Sequence, residues 1–230
     1  MSTSSLQPFG PEIWLADGSE TEVIGFRYPT RMAVIRLAGG GLFIWSPVAL
    51  TKSLQQQLQD LGEIRHLVAP NSLHHLFLEQ WRQAYPLAKL YAAPGLDVRR
   101  KDLAFDAELG DAPPSEWSAD LDQVLMRGNG ITTEVVFFHR PSGTALFTDL
   151  LQQFPPGWFR GWRAIVARLD LMTAPNPRCP GSSAPLSSIA APPARRWRAF
   201  SNGRPARSSW PTAPRCNGTA KPSSPERSGG

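Results

Sequence analysis

Three side chains stand out for the chemistry they could do. His74 and His75 are adjacent and follow the break Pro70-Asn71-Ser72, and Asp149 closes the run Thr144 to Thr148, which reads as a strand. Imidazole nitrogens and carboxylate oxygens are ordinary protein ligands of zinc and of non-haem iron. A strand that breaks into a loop bearing imidazoles, and then becomes a helix, can set such ligands at a sheet edge. The same residues have a plainer use. In a regular helix neighbours point about 100° apart, so His74 would border the apolar face near Leu78 and Trp81 while His75 points outward beside Glu79. As cap or surface residues they need no metal. Asp149 could equally cap the next turn. His139 shares a strand face with Val135 and Phe137, and His66 sits between Arg65 and Leu67 in an apolar run, so both read as structural.

The elements that must position these residues follow from periodicity. Ile64 to Ala69 reads as a short buried strand, and Leu73, Leu76, Phe77, Trp81 and Ala84 trace a helical stripe capped by Asn71 or Ser72 and stopped before Pro86. Upstream, Ile13 to Leu15 is a short strand closed at Asp17-Gly18. Met32 to Leu37 and Leu42 to Trp45 form a hairpin around Ala38 to Gly41. That glycine run leads into a strand rather than a helix, so it is a turn and not a phosphate loop. Thr51 or Ser53 caps a helix bearing Leu54, Leu58 and Leu61, with Gly62 at its end. Ala88 to Ala92 is a further strand, and Asp97 to Asp120 reads as a polar surface excursion. Gln123 to Met126 is a strand. Glu134 to Arg140 is apolar on both faces, as a central strand would be, and Pro141-Ser142-Gly143 turns the chain back. Trp158 to Leu169 carries an aromatic helical stripe. The order of strands and helices is mixed α/β rather than a βαβ repeat.

Composition divides the chain. From Pro175 onward there are eleven Pro, ten Ser and nine Lys/Arg against the single acid Glu226. Such a segment cannot bury enough surface to offset its ordering entropy. The expectation is a folded body over 1–174 and a disordered basic tail over 175–230. The net charge of +5 belongs to that tail, so the body gives no electrostatic case for nucleic acid. Runs such as Pro-Pro-Ala-Arg-Arg-Trp-Arg also resemble GC-rich coding sequence read out of frame. Cys179 and Cys216 both lie in the tail, which leaves the body without a thiolate site. The N-terminus shows no basic and apolar leader and no run reaches membrane-spanning length, so a soluble, cytoplasmic protein is expected.

Ala69-Pro70-Asn71 followed by His74-His75, with Phe-Phe-His-Arg-Pro-Ser-Gly-Thr-Ala-Leu-Phe-Thr-Asp-Leu at 137–150, resembles an uncharacterised bacterial family of the metallo-β-lactamase-like hydrolases. The resemblance covers about 12–178. It implies an α/β (α+β) fold, an incomplete four-layer αββα sandwich, whose strand-end loops hold one or two ions of zinc or iron that activate water. The superfamily's His-x-His-x-Asp-His loop falls on Pro70, Ser72, His74 and His75, so its first two ligands are missing. The glycine-histidine expected near Gly128 to Gly130 has Asn129 and no histidine. The ligands the resemblance leaves are His75 and Asp149, with His74 as a third. One zinc or iron ion, weakly held, or none, is the cofactor expectation. The function implied is a degenerate metal-dependent hydrolase of weak or no activity on an unspecified small molecule, with no nucleic-acid or membrane partner. A non-catalytic binding module and the inactive product of a frameshifted gene stay open beside it. No Gly-x-Ser-x-Gly elbow is present, which disfavours a serine hydrolase.

Overall fold

The computed structural model describes residues 5–23, 26–127 and 133–149, together with the backbone of 207–208. Seven strands form one sheet in chain order: β1 (Gln7–Gly10), β2 (Ile13–Val23), β3 (Phe26–Arg36), β4 (Gly41–Trp45), β5 (Glu63–Ala69), β6 (Lys89–Ala92) and β7 (Ala107–Glu108). β1 to β4 pair antiparallel, while β4 to β7 run parallel. A second sheet has the order β11-β10-β9-β8, from β8 (Leu121–Met126), β9 (Glu134–His139), β10 (Thr144–Leu146) and β11 (Arg207–Ser208). Three helices complete the described residues: α1 (Lys52–Leu61), α2 (Leu78–Ala84) and α3 (Leu96–Arg99).

Two apolar layers hold this together. Leu54 and Leu58 of α1, Leu78 and Trp81 of α2 and Leu96 of α3 pack with Val34, Ile44, Leu67 and Leu90 on one face of the large sheet. On its other face Ile35, Phe43, Trp45 and Val68 meet Leu121, Leu125, Val135, Phe137 and Leu146 of the small sheet. The result is helices, sheet, sheet, which accounts for three of the four expected layers. The aromatic helical stripe read at 158–169 lies outside the described residues.

Local signals explain α1. The Thr51 hydroxyl accepts from Leu54 N at 3.2 Å, and Gly62 closes the helix at φ 150, its N–H reaching Leu58 O. A Cβ at Gly62 would stand 3.0 Å from Gly40 O, so the position needs glycine for space as well as for φ.

Three expectations are corrected. The histidine helix begins at Leu78, not near Leu73, because the chain bends at Leu73 and turns over 74–77. The segment from Asp97 to Asp120 is not a surface excursion. Leu109 and Trp117 in it are buried, and the Trp117 ring meets Phe43, His66 and Tyr91 edge-on at 5.0, 5.2 and 4.6 Å. Its indole N–H donates to Gln123 Oε1 at 3.1 Å, so the large ring is buried with its polar atom satisfied. The first hairpin is also longer than its apolar stretches suggest. β2 continues through polar residues after an irregularity between Asp17 and Glu20. Of the tail, only the backbone of 207–208 is described, where it pairs parallel with Thr144 and Ala145. The rest of that expectation lies outside the described residues.

Candidate functional site

Four chain segments meet where the two sheets adjoin. The end of β4 delivers Ser46, the end of β5 delivers Pro70 and Asn71, β9 begins at Glu134, and Asp149 follows β10. Val135 N donates to Pro70 O at 2.8 Å, and Asn71 forms an isolated bridge with Glu134, so the sheets are stitched together here.

Asn71 is fully buried and all four of its side-chain bonds are made. Its Oδ1 accepts from Leu73 N at 2.8 Å and His74 N at 3.0 Å. Its Nδ2 donates to Thr148 Oγ1 and to Asp149 Oδ2, both at 2.7 Å. The N-cap read from the sequence exists, but it caps a turn. Its carbonyl oxygen takes both N–H groups, as an N-cap does, and residues 74–77 then form turns before α2 begins at Leu78.

That turn sends the two histidines apart. His74 Nδ1 lies 2.6 Å from Ser46 Oγ, and His74 Nε2 lies 3.4 Å from Asp149 Oδ2. The His75 ring faces the other way, with Nδ1 3.1 Å from the Arg100 guanidinium, which also donates to His75 O at 3.0 Å. Burial, and then the Arg100 charge, pull the His75 pKa down from its ordinary value. Arg100 is itself paired with Asp102 at 2.6 Å, and Arg99 donates to Ser72 O at 3.3 Å. The arginines at the end of α3 thus pin the turn from behind.

Of the sequence-derived set, then, His74 and Asp149 come together and His75 sits against a cation. His66 is buried among Phe43, Tyr91 and Trp117, and His139 is buried with Nδ1 2.7 Å from Ser142 Oγ. Both are structural. Ser46, Glu134 and Arg100 were not singled out by sequence. Glu134 carried a usable signal, as the one acid at the start of an otherwise apolar strand.

The donor set can be tested against a metal. Bonds of about 2.0–2.2 Å in a tetrahedron put ligand atoms roughly 3.4 Å apart, so His74 Nε2 and Asp149 Oδ2 could form one edge. A third ligand fails, because His75 is turned to Arg100 and the preceding ligand positions hold Pro70 and Ser72. Among the described residues, no group of three His, Cys, Asp or Glu is placed to hold an ion. The residues therefore do not fit the fold's usual three-ligand centre.

A model of the family described as a domain of unknown function, DUF4336, matches residues 11–159. The chain belongs to the DUF4336 family. No curated protein matches it. Among solved structures, the DIM-1 metallo-β-lactamase exposed to ceftazidime is similar at TM-score 0.55 and 13% identity, over 69% of this chain and 76% of that one. The metallo-β-lactamase from Pontibacter korlensis gives TM-score 0.52 at 10% identity, over 73% and 85%. The mono-zinc form of FIM-1 from Pseudomonas aeruginosa gives 0.53 at 11%, over 68% and 73%. At these identities the likeness carries the fold, and this DUF4336 chain has the metallo-β-lactamase-like fold.

Proposed function

We propose that this DUF4336 protein is a degenerate metallo-β-lactamase-like protein that does not run two-metal hydrolysis, with at most one zinc or iron ion held weakly between His74 and Asp149. The observation that carries the reading is the orientation of His75, whose ring nitrogen faces Arg100 at 3.1 Å. Each ligand lost from a site removes affinity steeply, because those remaining must still be ordered and deprotonated. A ligand beside a guanidinium is poorer still, since the fixed cation repels the incoming one.

Metal content after zinc loading and dialysis tests this directly, alongside turnover of a chromogenic β-lactam and of a thioester. Less than one equivalent of metal and negligible turnover are expected. Two equivalents surviving dialysis, or hydrolysis abolished by a chelator and by Asp149→Ala, would overturn it. The non-catalytic binding module remains the companion reading. It is favoured by how fully Asn71, His74 and Asp149 engage one another.

A further inference from the structure

His75 differs from the ligands this chain has lost. At Pro70 and Ser72 the ligating side chain is gone, whereas at 75 the imidazole is present and something else holds it. A metal ion needs an imidazole lone pair, and a neutral ring offers one, on whichever nitrogen lacks the proton. A guanidinium has donors only. The 3.1 Å contact from Arg100 Nη1 therefore makes His75 Nδ1 the acceptor and puts the ring proton on Nε2. One nitrogen has its lone pair engaged and the other is capped by hydrogen. Neither is left for an ion.

The guanidinium is fixed from its own side as well. Leu96 of α3 is fully buried, and Arg100 N donates to Leu96 O at 2.9 Å as the helix closes. Arg100 Nε and Nη2 then donate to the two Asp102 carboxylate oxygens at 2.9 and 2.6 Å. Nη1, besides meeting the ring, donates to His75 O at 3.0 Å. The side chain is only 16% exposed. Arginine is charged at any ordinary pH, and its planar fork loses little freedom for each bond it makes. What faces His75 is a permanent and oriented cation.

We infer that Arg100 is an internal stand-in for a metal ion, a side-chain cation that occupies His75 and keeps it out of any centre built on His74 and Asp149. The inference rests on the degenerate-site reading and deepens it, because His75 becomes a blocked ligand rather than a lost one. Arg100 is then the residue that sets metal occupancy. Its removal should make three protein ligands available, the number a catalytic zinc centre uses. It cannot restore a two-ion site, since Pro70 and Ser72 offer no imidazole.

The test compares the full chain with Arg100→Met, which keeps an unbranched stem and drops the charge and the fork. Each is titrated with zinc chloride by equilibrium dialysis, and with cobalt(II) chloride by visible absorption. Arg100→Met should bind one ion at least about tenfold more tightly than the parent, the scale on which groups behind the ligands move metal affinity. It should also develop the intense absorption of four-coordinate cobalt. Adding His75→Gln to Arg100→Met should abolish the gain, which loss of a repelling charge alone would not do. Equal affinity in the parent and Arg100→Met, or a gain that survives His75→Gln, would overturn the inference and leave the degenerate reading standing. Two tightly held ions in the parent would overturn both. If circular dichroism shows Arg100→Met unfolded, the parent decides by nuclear magnetic resonance. Millimolar zinc should leave the His75 ring nitrogens unshifted, and a shift that places the ion on either of them would sink the inference.

Discussion

Glu134 holds Asp149 by its backbone. The Glu134 carboxylate is 1% exposed, and its two oxygens accept from Thr148 N at 2.6 Å and Asp149 N at 2.9 Å. A buried acid at the start of one strand thereby sets the loop, 15 residues further along the chain, that carries the site's half-buried acid. The arrangement answers how Asp149 is held without help from a helix cap.

Glu134→Gln keeps the shape of this anchor and removes half of its accepting power. One oxygen can still take an N–H, but the new amide NH₂ must face the other N–H across less than 3 Å. Two charge-assisted bonds become one neutral bond and one donor–donor clash, a loss of about 2–3 kcal/mol. Urea unfolding should report it as a lower midpoint at constant slope. A variant as stable as the parent would mean that the two N–H groups find other partners.

Asn71→Asp should do more damage than its near-identical shape suggests. Nδ2 donates to Thr148 Oγ1 and Asp149 Oδ2, and a carboxylate can donate to neither. It would also set a second negative charge within 3 Å of the first in a buried place. Destabilisation of about 2–4 kcal/mol is expected at pH 7, and it should shrink as the pH falls far enough to protonate one of the pair. A pH-independent loss equal to that of Asn71→Ala would show that charge is not the cause.

Much of the fold was legible for identifiable reasons. Thr51 with Gly62 marked α1, the glycine turn marked the β3–β4 hairpin, and the doubly apolar run at 134–139 marked the centre of the small sheet. Trp117 was not legible, because one large aromatic in a polar stretch has no period to report, and its burial depends on Phe43, His66 and Tyr91 from distant strands. The histidine turn misled for a local reason. The stripe from Leu73 to Ala84 has helical spacing, yet His75 O accepts from Leu78 N at 3.3 Å and from Arg100 at 3.0 Å, a tight turn ahead of α2. At the site, His74 and Asp149 were found because ligand patterns name those residue types. Ser46 was missed because its distinguishing feature is a backbone angle, and Arg100 because its partner His75 is 25 residues earlier.

Trp117→Ala should therefore cost what a core deletion costs. The ring is fully buried and touches three aromatic partners, and removal of such a side chain typically costs about 3–5 kcal/mol through lost transfer energy and the cavity left behind. Thermal unfolding by circular dichroism reads this directly. A loss below about 1 kcal/mol would be the behaviour of the surface residue that its sequence neighbourhood suggests.

The last expectation concerns pH. Burial lowers the pKa of His66 from 6.5 to about 4, with Glu116 opposing and Lys89 and Arg65 reinforcing. Burial likewise lowers that of His139 to about 4, against the pull of Asp120 and Glu12. Each ring has one nitrogen without a hydrogen-bond partner, Nδ1 of His66 and Nε2 of His139, so protonation would bury an unmet charge in each case. The sign follows from proton counting. Between pH 6.5 and about 4 the unfolded chain binds protons that the folded chain refuses, so unfolding becomes easier as pH falls through that window. Each histidine contributes a slope of about 1.4 kcal/mol per pH unit while both conditions hold. His75 is shifted in the same direction and adds to the upper part of the window. Above pH 6.5 these groups contribute no further change. The lowered carboxyls of Glu12 and Glu116 lose their contribution only below their ordinary 4.5, so the range from 6.5 to 4.5 isolates the histidines. His66→Phe, which places an aromatic ring among aromatics, should flatten the urea midpoint between pH 6.5 and 4.5 by one group's worth. His139→Gln should remove another share while leaving any bound metal unchanged. A midpoint as steep in both variants as in the parent would show that neither histidine is held neutral by the fold.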